Sequence, residues 1–324
     1  MTNHIHLLGG SGKIGRKLCE SLQNKKIKGF DNVWVYCDGF KASNNSDFIS
    51  QDENKSSIFY KNYASFSIDR LANENFLSKN SKNIILNLRG VNNKRDWLNK
   101  PLEALDVQLQ SCLNIVNSDI NLYPNTKLIH LSSQLCELIE GKNSLQEICE
   151  GEDSYRQAYM VSRLHQEAII KAYAYKYGVE TKFIRLPAIY GFNEDIDSPW
   201  ILSNLIKQLI SKGKINIRKP NTYTWLTHTN VLTNFLRHTI SRFSNDFFES
   251  NVSYLVCPRI GLKLKTLSKL VENLIIDESY LEKFGIDDEV KISGLNNKKD
   301  LILHINYLKT SIMDLYKGAK RETF

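Results

Sequence analysis

The sequence predicts an α/β fold in which a doubly wound parallel sheet is followed by a smaller C-terminal α/β lobe. Three observations predict it. Short apolar runs alternate with longer helical patterns through the first two thirds of the chain, the pattern left by a parallel sheet with crossover helices. A glycine-rich turn separates the first run from the first helical stretch. After Tyr190-Gly191 the alternation gives way to a different rhythm.

In chain order, strands are expected at 5–8, 33–37, 57–60, 84–88, 127–131 and 181–186, where β-branched, leucine and aromatic residues cluster. Between them the spacing predicts helices over 13–23, 68–78, 102–116 and 155–177. Right-handed crossovers then place a ligand crevice at the carboxyl ends of the strands. The later part predicts helices at 200–211, 231–240 and 266–275, with short extended pieces at 215–218 and 254–257. This divides the chain into a dinucleotide-binding domain over 1–190 and a mainly substrate-binding lobe over 191–324, with some segments free to return to the sheet. The polar stretch 41–55 reads as a loop.

With 324 residues, 42% of them hydrophobic, the chain can bury one large core or two modest ones. Cys19, Cys37, Cys112, Cys136, Cys149 and Cys257 show no C-x-x-C spacing, which argues for a reducing compartment and against a metal site. No secretion signal opens the sequence and no apolar run reaches the length of a membrane span, so a cytoplasmic, soluble protein is expected. The formal net charge of +8 is spread along the chain. It suits a small anionic ligand and gives no basic tract for nucleic acid.

Leu7-Leu8-Gly9-Gly10-Ser11-Gly12-Lys13-Ile14-Gly15 follows a strand and opens a helix. Glycines spaced by three allow a tight turn and let a pyrophosphate approach the backbone, where the helix N-terminus offers N–H donors and a favourable dipole. The fold class is therefore Rossmann-like, with Gly9, Ser11, Gly12, Lys13, Ile14 and Gly15 expected against the cofactor. Asp38 ends the second strand 23 residues beyond Gly15, near the spacing of an acid that bonds a ribose 2′-hydroxyl. That favours NAD over NADP, although Lys41 nearby keeps NADP open.

Tyr159 and Arg163 stand four apart in a helical pattern and so share a face. A fixed cation beside a phenol favours the phenolate and suits the tyrosine to general acid/base work. The strand Leu128-Ile129-His130-Leu131 delivers Ser132-Ser133, with Ser133 lying 26 residues before Tyr159, and Arg185-Leu186-Pro187 with Tyr190-Gly191 follows downstream.

On these residues the chain resembles the extended short-chain dehydrogenase/reductase family, the NAD-dependent epimerases and dehydratases that act mainly on nucleotide sugars. The resemblance covers the N-terminus to about Gly191. It rests on the G-x-x-G-x-x-G turn, Asp38, Lys100-Pro101-Leu102-Glu103, Ser132-Ser133, Tyr159 with Ser162 and Glu167 in the Y-x-x-S-[basic]-x-x-x-E pattern, and Arg185-Leu186-Pro187. It implies that Ser133 hydrogen-bonds the reacting oxygen, that Tyr159 exchanges its proton, and that a hydride passes between a nicotinamide and a sugar carbon. Leu88, Arg89, Gly90, Gln108 and Pro187 are implied to border the cofactor with Tyr159 and Arg163. A homodimer through the helices at 102–116 and 155–177 is implied as well; Ala158, Ala168 and Ala172 would allow close packing there.

The departures matter as much. Arg163 stands where the family has the lysine that tunes the tyrosine and holds the nicotinamide ribose, and a planar fork is no simple replacement for a compact ammonium. Asn87-Leu88-Arg89-Gly90 lies where small residues are usual, Gln108 where an asparagine is common, and Tyr223-Thr224-Trp225 replaces an Arg-Asp-aromatic element that clamps a diphosphate. Ser133 is followed by Gln134-Leu135 and lacks the Asp-Glu pair that sugar dehydratases use, which disfavours a dehydratase. Arg89 reads equally as a phosphate contact or a surface residue, Tyr223 and His228 as core or rim residues ahead of ligands, and Arg218 as a solvated strand residue ahead of a charge-assisted diphosphate contact. The expected activity is an NAD(P)-dependent nucleotide-sugar epimerase or 4-ketoreductase. Two alternatives stay open: a reductase of another small carbonyl, and a dinucleotide-binding sensor or scaffold with an impaired site.

Overall fold

The structure, a computed structural model, describes residues 3–37, 55–62, 81–91, 94–116, 125–138, 154–191, 201–243, 252–276, 290–293 and 298–322. The expected helix at 68–78 and the residues Asp38, Lys41 and Cys149 lie outside them. The chain divides into two compact units, Met1–Leu186 with Leu236–Leu255, and Pro187–Phe235 with Val256–Phe324.

The first unit is built on β1 (His4–Leu8), β2 (Asn32–Cys37), β3 (Ser57–Asn62), β4 (Asn83–Asn87), β5 (Thr126–Ser133), β6 (Thr181–Leu186) and β9 (Val252–Val256). Among the described residues these form one sheet in the order β3-β2-β1-β4-β5-β6-β9. β1 pairs in parallel with both β2 and β4, so the order reverses around it. β2 with β3, β4 with β5 and β5 with β6 are also parallel. The helices described here are α1 (Lys13–Asn24), α2 (Lys94–Asn99), α3 (Pro101–Val116) and α4 (Ser154–Tyr177), with a 3₁₀ turn at Gln134–Leu138.

Both faces of such a sheet are covered by crossovers, which explains why β1 and β4 are buried along their whole length. On one face Leu8, Trp34, Tyr36, Ile85 and Leu128 pack with Cys112 and Ile115 of α3 and Ile170, Tyr173 and Ala174 of α4. Hydrophobic alternation does not anticipate the histidines on this face. His4 Nδ1 accepts from Trp34 Nε1 at 3.3 Å, and His6 Nδ1 lies 3.4 Å from the Tyr36 hydroxyl, so the aromatic tips of β2 satisfy polar groups of β1. Cys19, Cys37, Cys112, Cys136 and Cys257 are buried free thiols.

The second unit carries β7 (Ala188–Tyr190), β8 (Tyr223–His228), β10 (Arg259–Lys263) and β11 (Val290–Ser293), in the order β11-β10-β8-β7. Its helices are α5 (Ile201–Lys212), α6 (Thr229–Phe243), α7 (Leu264–Ile276) and α8 (Lys298–Glu322), the last part of α6 belonging to the first unit. Leu226, Ile260 and Leu262 on one sheet face pack with Leu205, Ile206, Leu267, Leu270, Leu308 and Ile312 from the helices.

One expectation for the later part is corrected. The segment 215–218 is not a strand: the backbone N–H of Asn216 is taken at 2.9 Å by the Gln208 side chain, and the strand forms further on at Tyr223–His228. The extended piece at 254–257 belongs with Val252–Val256 as β9 in the first sheet, beside β6. Phe183 stacks on Tyr254 with centroids 5.2 Å apart, which gives that strand an apolar reason to return.

Candidate active site

The turn after β1 is shaped by its glycines. Gly9 has φ of +86°, and a Cβ there would fall 2.9 Å from Arg89 Cα. Its N–H and that of Gly10 donate to Tyr36 O at 2.9 and 3.2 Å, which ties the turn to β2. Gly15 lies where a Cβ would come within 2.6 Å of Gly10 Cα, so the first turn of α1 rests on the loop beneath it. Gly12 differs: a Cβ there would meet nothing nearer than Gly9 O at 3.4 Å, so the protein itself does not demand glycine. Gly12 caps α1 without any side-chain hydrogen bond, Ser11 and Gly12 are exposed, and no acid stands in the first helical turn. A bare backbone over uncapped N–H donors fits a pyrophosphate. Lys13 and Ile14 flank it, both half-buried.

Leu88, Arg89, Gly90 and Val91 leave the carboxyl end of β4 and are held from below. Leu88 N donates to Leu8 O at 2.9 Å, and Arg89 N to Asn87 Oδ1 at 3.2 Å. Val91 N donates to Gln108 Oε1 of α3 at 2.8 Å. Arg89 is neither a surface residue nor turned outward: it is buried and its Nη1 donates to Val107 O at 2.8 Å. Behind the loop, Asn87 Nδ2 donates to His130 Nδ1 at 3.1 Å. Burial, with the positive charge of Arg163, holds the His130 pKa down to about 3, so the ring is neutral.

Ser133 ends β5 with its Oγ accepting from Leu135 N at 3.2 Å. A hydroxyl that accepts in this way still has a proton to donate. Tyr159 is half-buried on α4, edge-on to Trp97 of α2 with centroids 6.3 Å apart. Arg163 one turn later is buried, and its Cζ lies 5.3 Å from the centroid of the Tyr159 ring. The guanidinium therefore faces the ring, while Nη1 donates to Leu131 O at 3.3 Å and to Gln166 Oε1 at 3.0 Å. It also packs on Gly90, where an added Cβ would come within 2.8 Å of Cζ.

Of the other expected residues, Pro187 opens the second unit directly after β6, and Asp38 is outside the described residues. Arg218 is exposed. His228 is a buried structural ring, stacked on Tyr307 with centroids 4.2 Å apart and accepting from Asn230 N at 3.1 Å. Tyr223 is half-buried on β8, 6.0 Å from Lys263 Nζ. Sequence reasoning missed Trp97 and Gln166. Gln166 carried a signal, since a glutamine three residues after Arg163 shares its helical face.

A sheet that reverses around β1 and opens its first crossover with this turn defines the dinucleotide-binding class of α/β proteins. The chain belongs to the NAD dependent epimerase/dehydratase family, whose model matches residues 5–226. It is accordingly an NAD-dependent enzyme of the short-chain dehydrogenase/reductase type. Among solved structures it is similar to UDP-N-acetylglucosamine 4-epimerase from Methanobrevibacter ruminantium M1, with TM-score 0.63 and 14% identity over 99% of this chain and 100% of that one. It is also similar to UDP-glucose 4-epimerase from Thermotoga maritima, with TM-score 0.59 and 15% identity over 98% and 99%. A third is the Bordetella bronchiseptica enzyme WbmF in complex with NADH, with TM-score 0.60 and 11% identity over 99% and 93%. Among curated proteins none matches the chain. Among the described residues no helix is long and apolar enough to cross a membrane.

Proposed function

We propose that the protein epimerises or reduces a nucleotide-activated sugar through a keto intermediate, with Tyr159 as its acid/base. The observation that carries this reading is the Tyr159 ring lying under the guanidinium of Arg163, a cation fixed in place by Leu131 O and Gln166. Tyr159 takes the proton of the reacting sugar hydroxyl and returns it. Ser133 donates its hydroxyl proton to the same oxygen. Gly9, Ser11, Gly12, Lys13, Ile14 and Gly15 hold the pyrophosphate of the cofactor, with Leu88, Arg89, Gly90, Gln108 and Pro187 bordering it and Asp38 at the adenosine ribose. When bound, NAD supplies the hydride acceptor and donor.

The second unit takes the nucleotide sugar in this reading. Trp225, with the Arg259 guanidinium 4.8 Å from its ring centroid, supports that role by offering an aromatic surface beside a cation. A homodimer is supported by Ala158, Ala168 and Ala172, which are exposed along α4. Gln134-Leu135 open the 3₁₀ turn after Ser133 in place of an Asp-Glu pair, and the acid of that turn, Glu137, comes two residues later; this favours epimerase or ketoreductase over dehydratase.

The test begins with purified protein examined for co-purified cofactor by mass spectrometry. It is then incubated with UDP-, GDP- and dTDP-sugars and their 4-keto derivatives, with and without NADH or NADPH. Interconversion of epimers with retained NAD and no net reduction identifies a 4-epimerase. Stoichiometric oxidation of added cofactor identifies a ketoreductase. Turnover of a free ketone without any nucleotide-sugar binding, or bound cofactor without turnover, overturns the reading.

A further inference from the structure

Gln166 is fully buried on the face of α4 that carries Arg163. Its Oε1 accepts from Arg163 Nη1 at 3.0 Å, while its Nε2 donates to Ser111 Oγ at 2.9 Å and to Gln108 O, both on α3. Turning the amide over would set donor against donor at Arg163 Nη1 and oxygen against oxygen at Gln108 O. Its orientation is therefore fixed, and with it the orientation of the guanidinium.

The Arg163 side chain has no carboxylate partner among the described residues. Glu167, the residue after Gln166, is engaged by Arg185 Nε and Nη2 at 3.0 and 2.7 Å. Arg163 is held by a carbonyl and a neutral amide, so its charge is not cancelled locally and acts on its neighbours across a poorly polarisable interior. His130 on β5 registers that charge and stays neutral. Cys112 on α3 is a thiol pushed up to about 11, chiefly by burial. Arg95 and Asp96 of α2 and Glu137 of the 3₁₀ turn are exposed, and Arg185 of β6 is neutralised by Glu167. Arg156 of α4 is half-buried and Arg89 after β4 is buried, but among the described residues Arg163 is the buried cation whose guanidinium lies against the Tyr159 ring.

We infer that Gln166 is a positioning residue: its neutral amide holds the Arg163 guanidinium over the Tyr159 ring with its charge intact, so that the cation supports the phenolate. The inference rests on the reading of Tyr159 as acid/base. A neutral amide is what the task requires, because a carboxylate at the same place would lose the donor to Gln108 O and would cancel the field that Tyr159 feels. Gln166 also links the cation to α3, the helix that fixes Val91 through Gln108.

The test uses the near-ultraviolet absorbance step of tyrosinate formation that is present in the full-length protein and missing from Tyr159→Phe, recorded without substrate. Gln166→Glu keeps the side-chain length and the acceptor but adds a negative charge; Gln166→Leu removes the hold. Circular dichroism and melting establish that each variant is folded. Both are expected to move the Tyr159 step to higher pH. If Gln166→Glu does not fold, Gln166→Leu and Arg163→Met carry the test, with the same expected direction. A step that stays in place in a folded variant overturns the inference, as does the absence of any Tyr159 step. A shifted step in a protein that turns over no sugar leaves the electrostatic coupling standing and removes the acid/base reading instead.

Discussion

Arg185 and Glu167 meet through two parallel hydrogen bonds, Nε to Oε1 at 3.0 Å and Nη2 to Oε2 at 2.7 Å, with the Tyr254 hydroxyl donating to Oε2 at 3.1 Å. The pair joins β6 to α4, and Tyr254 ties β9 to both. Glu167→Ala would leave a buried guanidinium without its carboxylate, at an expected cost of about 3 kcal/mol in urea denaturation. The double replacement Glu167→Leu with Arg185→Met is expected to recover much of that loss, because two buried charges disappear together. A double variant no more stable than Glu167→Ala would contradict this account.

Gly9 and Gly29 give a matched comparison, with φ of +86° and +87°. Around Gly29 nothing lies within 4 Å of an added Cβ, whereas at Gly9 the Arg89 backbone is 2.9 Å away. Gly29→Ala is expected to cost about 1 kcal/mol of backbone strain and to leave NAD binding unchanged. Gly9→Ala adds a clash with the loop after β4 and is expected to abolish NAD binding in calorimetric titration. Equal NAD affinity in the two variants would sink this assignment of the turn.

On the proposed reading of Tyr159 as acid/base, Tyr159→Phe is expected to lower turnover by about 10² to 10⁴ while NAD affinity holds, since only the hydroxyl is removed. Turnover and NAD titration on the same preparation separate the two effects. Unaltered turnover would remove Tyr159 from the chemistry.

His6 and His130 are buried neutral, with burial the larger cause and a neighbouring ring or cation the smaller, and each pKa is lowered to about 3. In the unfolded chain both protonate near pH 6.5, so between about pH 6.5 and 3 the unfolded state binds more protons. The stability they contribute is present above pH 6.5 and is lost as pH falls, by about 1.4 kcal/mol per unit for each ring. Urea midpoints measured across this window should fall with pH, and His130→Leu should flatten the slope. An unchanged slope in that variant would mean that the ring is charged or accessible in the folded protein.

Much of the first sheet was legible because its determinants are local. Val33-Trp34-Val35-Tyr36 can hardly be anything but a buried strand, and the glycine turn declares the helix that follows. Which later segment returns to that sheet was not legible, because the choice of Val252–Val256 depends on Tyr254 meeting Glu167 and Phe183, partners distant in the sequence. The final helix was missed although its signal is plain: Ile305, Leu308, Ile312 and Leu315 follow a helical period and pack into the second core. At the candidate site, the pairing of Tyr159 with Arg163 could be read from their spacing. The direction in which the guanidinium points could not, since Leu131 and Gly90 come from other strands and loops.

The chain leaves the first unit after Leu186, re-enters it at Leu236 and departs again after Leu255. On the ribosome, the first sheet therefore cannot be completed when its leading 186 residues emerge. Its edge strand is made only after residues 187–235 of the other unit have been synthesised, and until then the face of Phe183 and one partner of Glu167 wait unfilled. A gene fragment cut at Leu186 would reproduce that waiting state permanently. Exchanging the C-terminal lobe with a relative's must therefore be done as two separate grafts that leave Leu236–Leu255 in place.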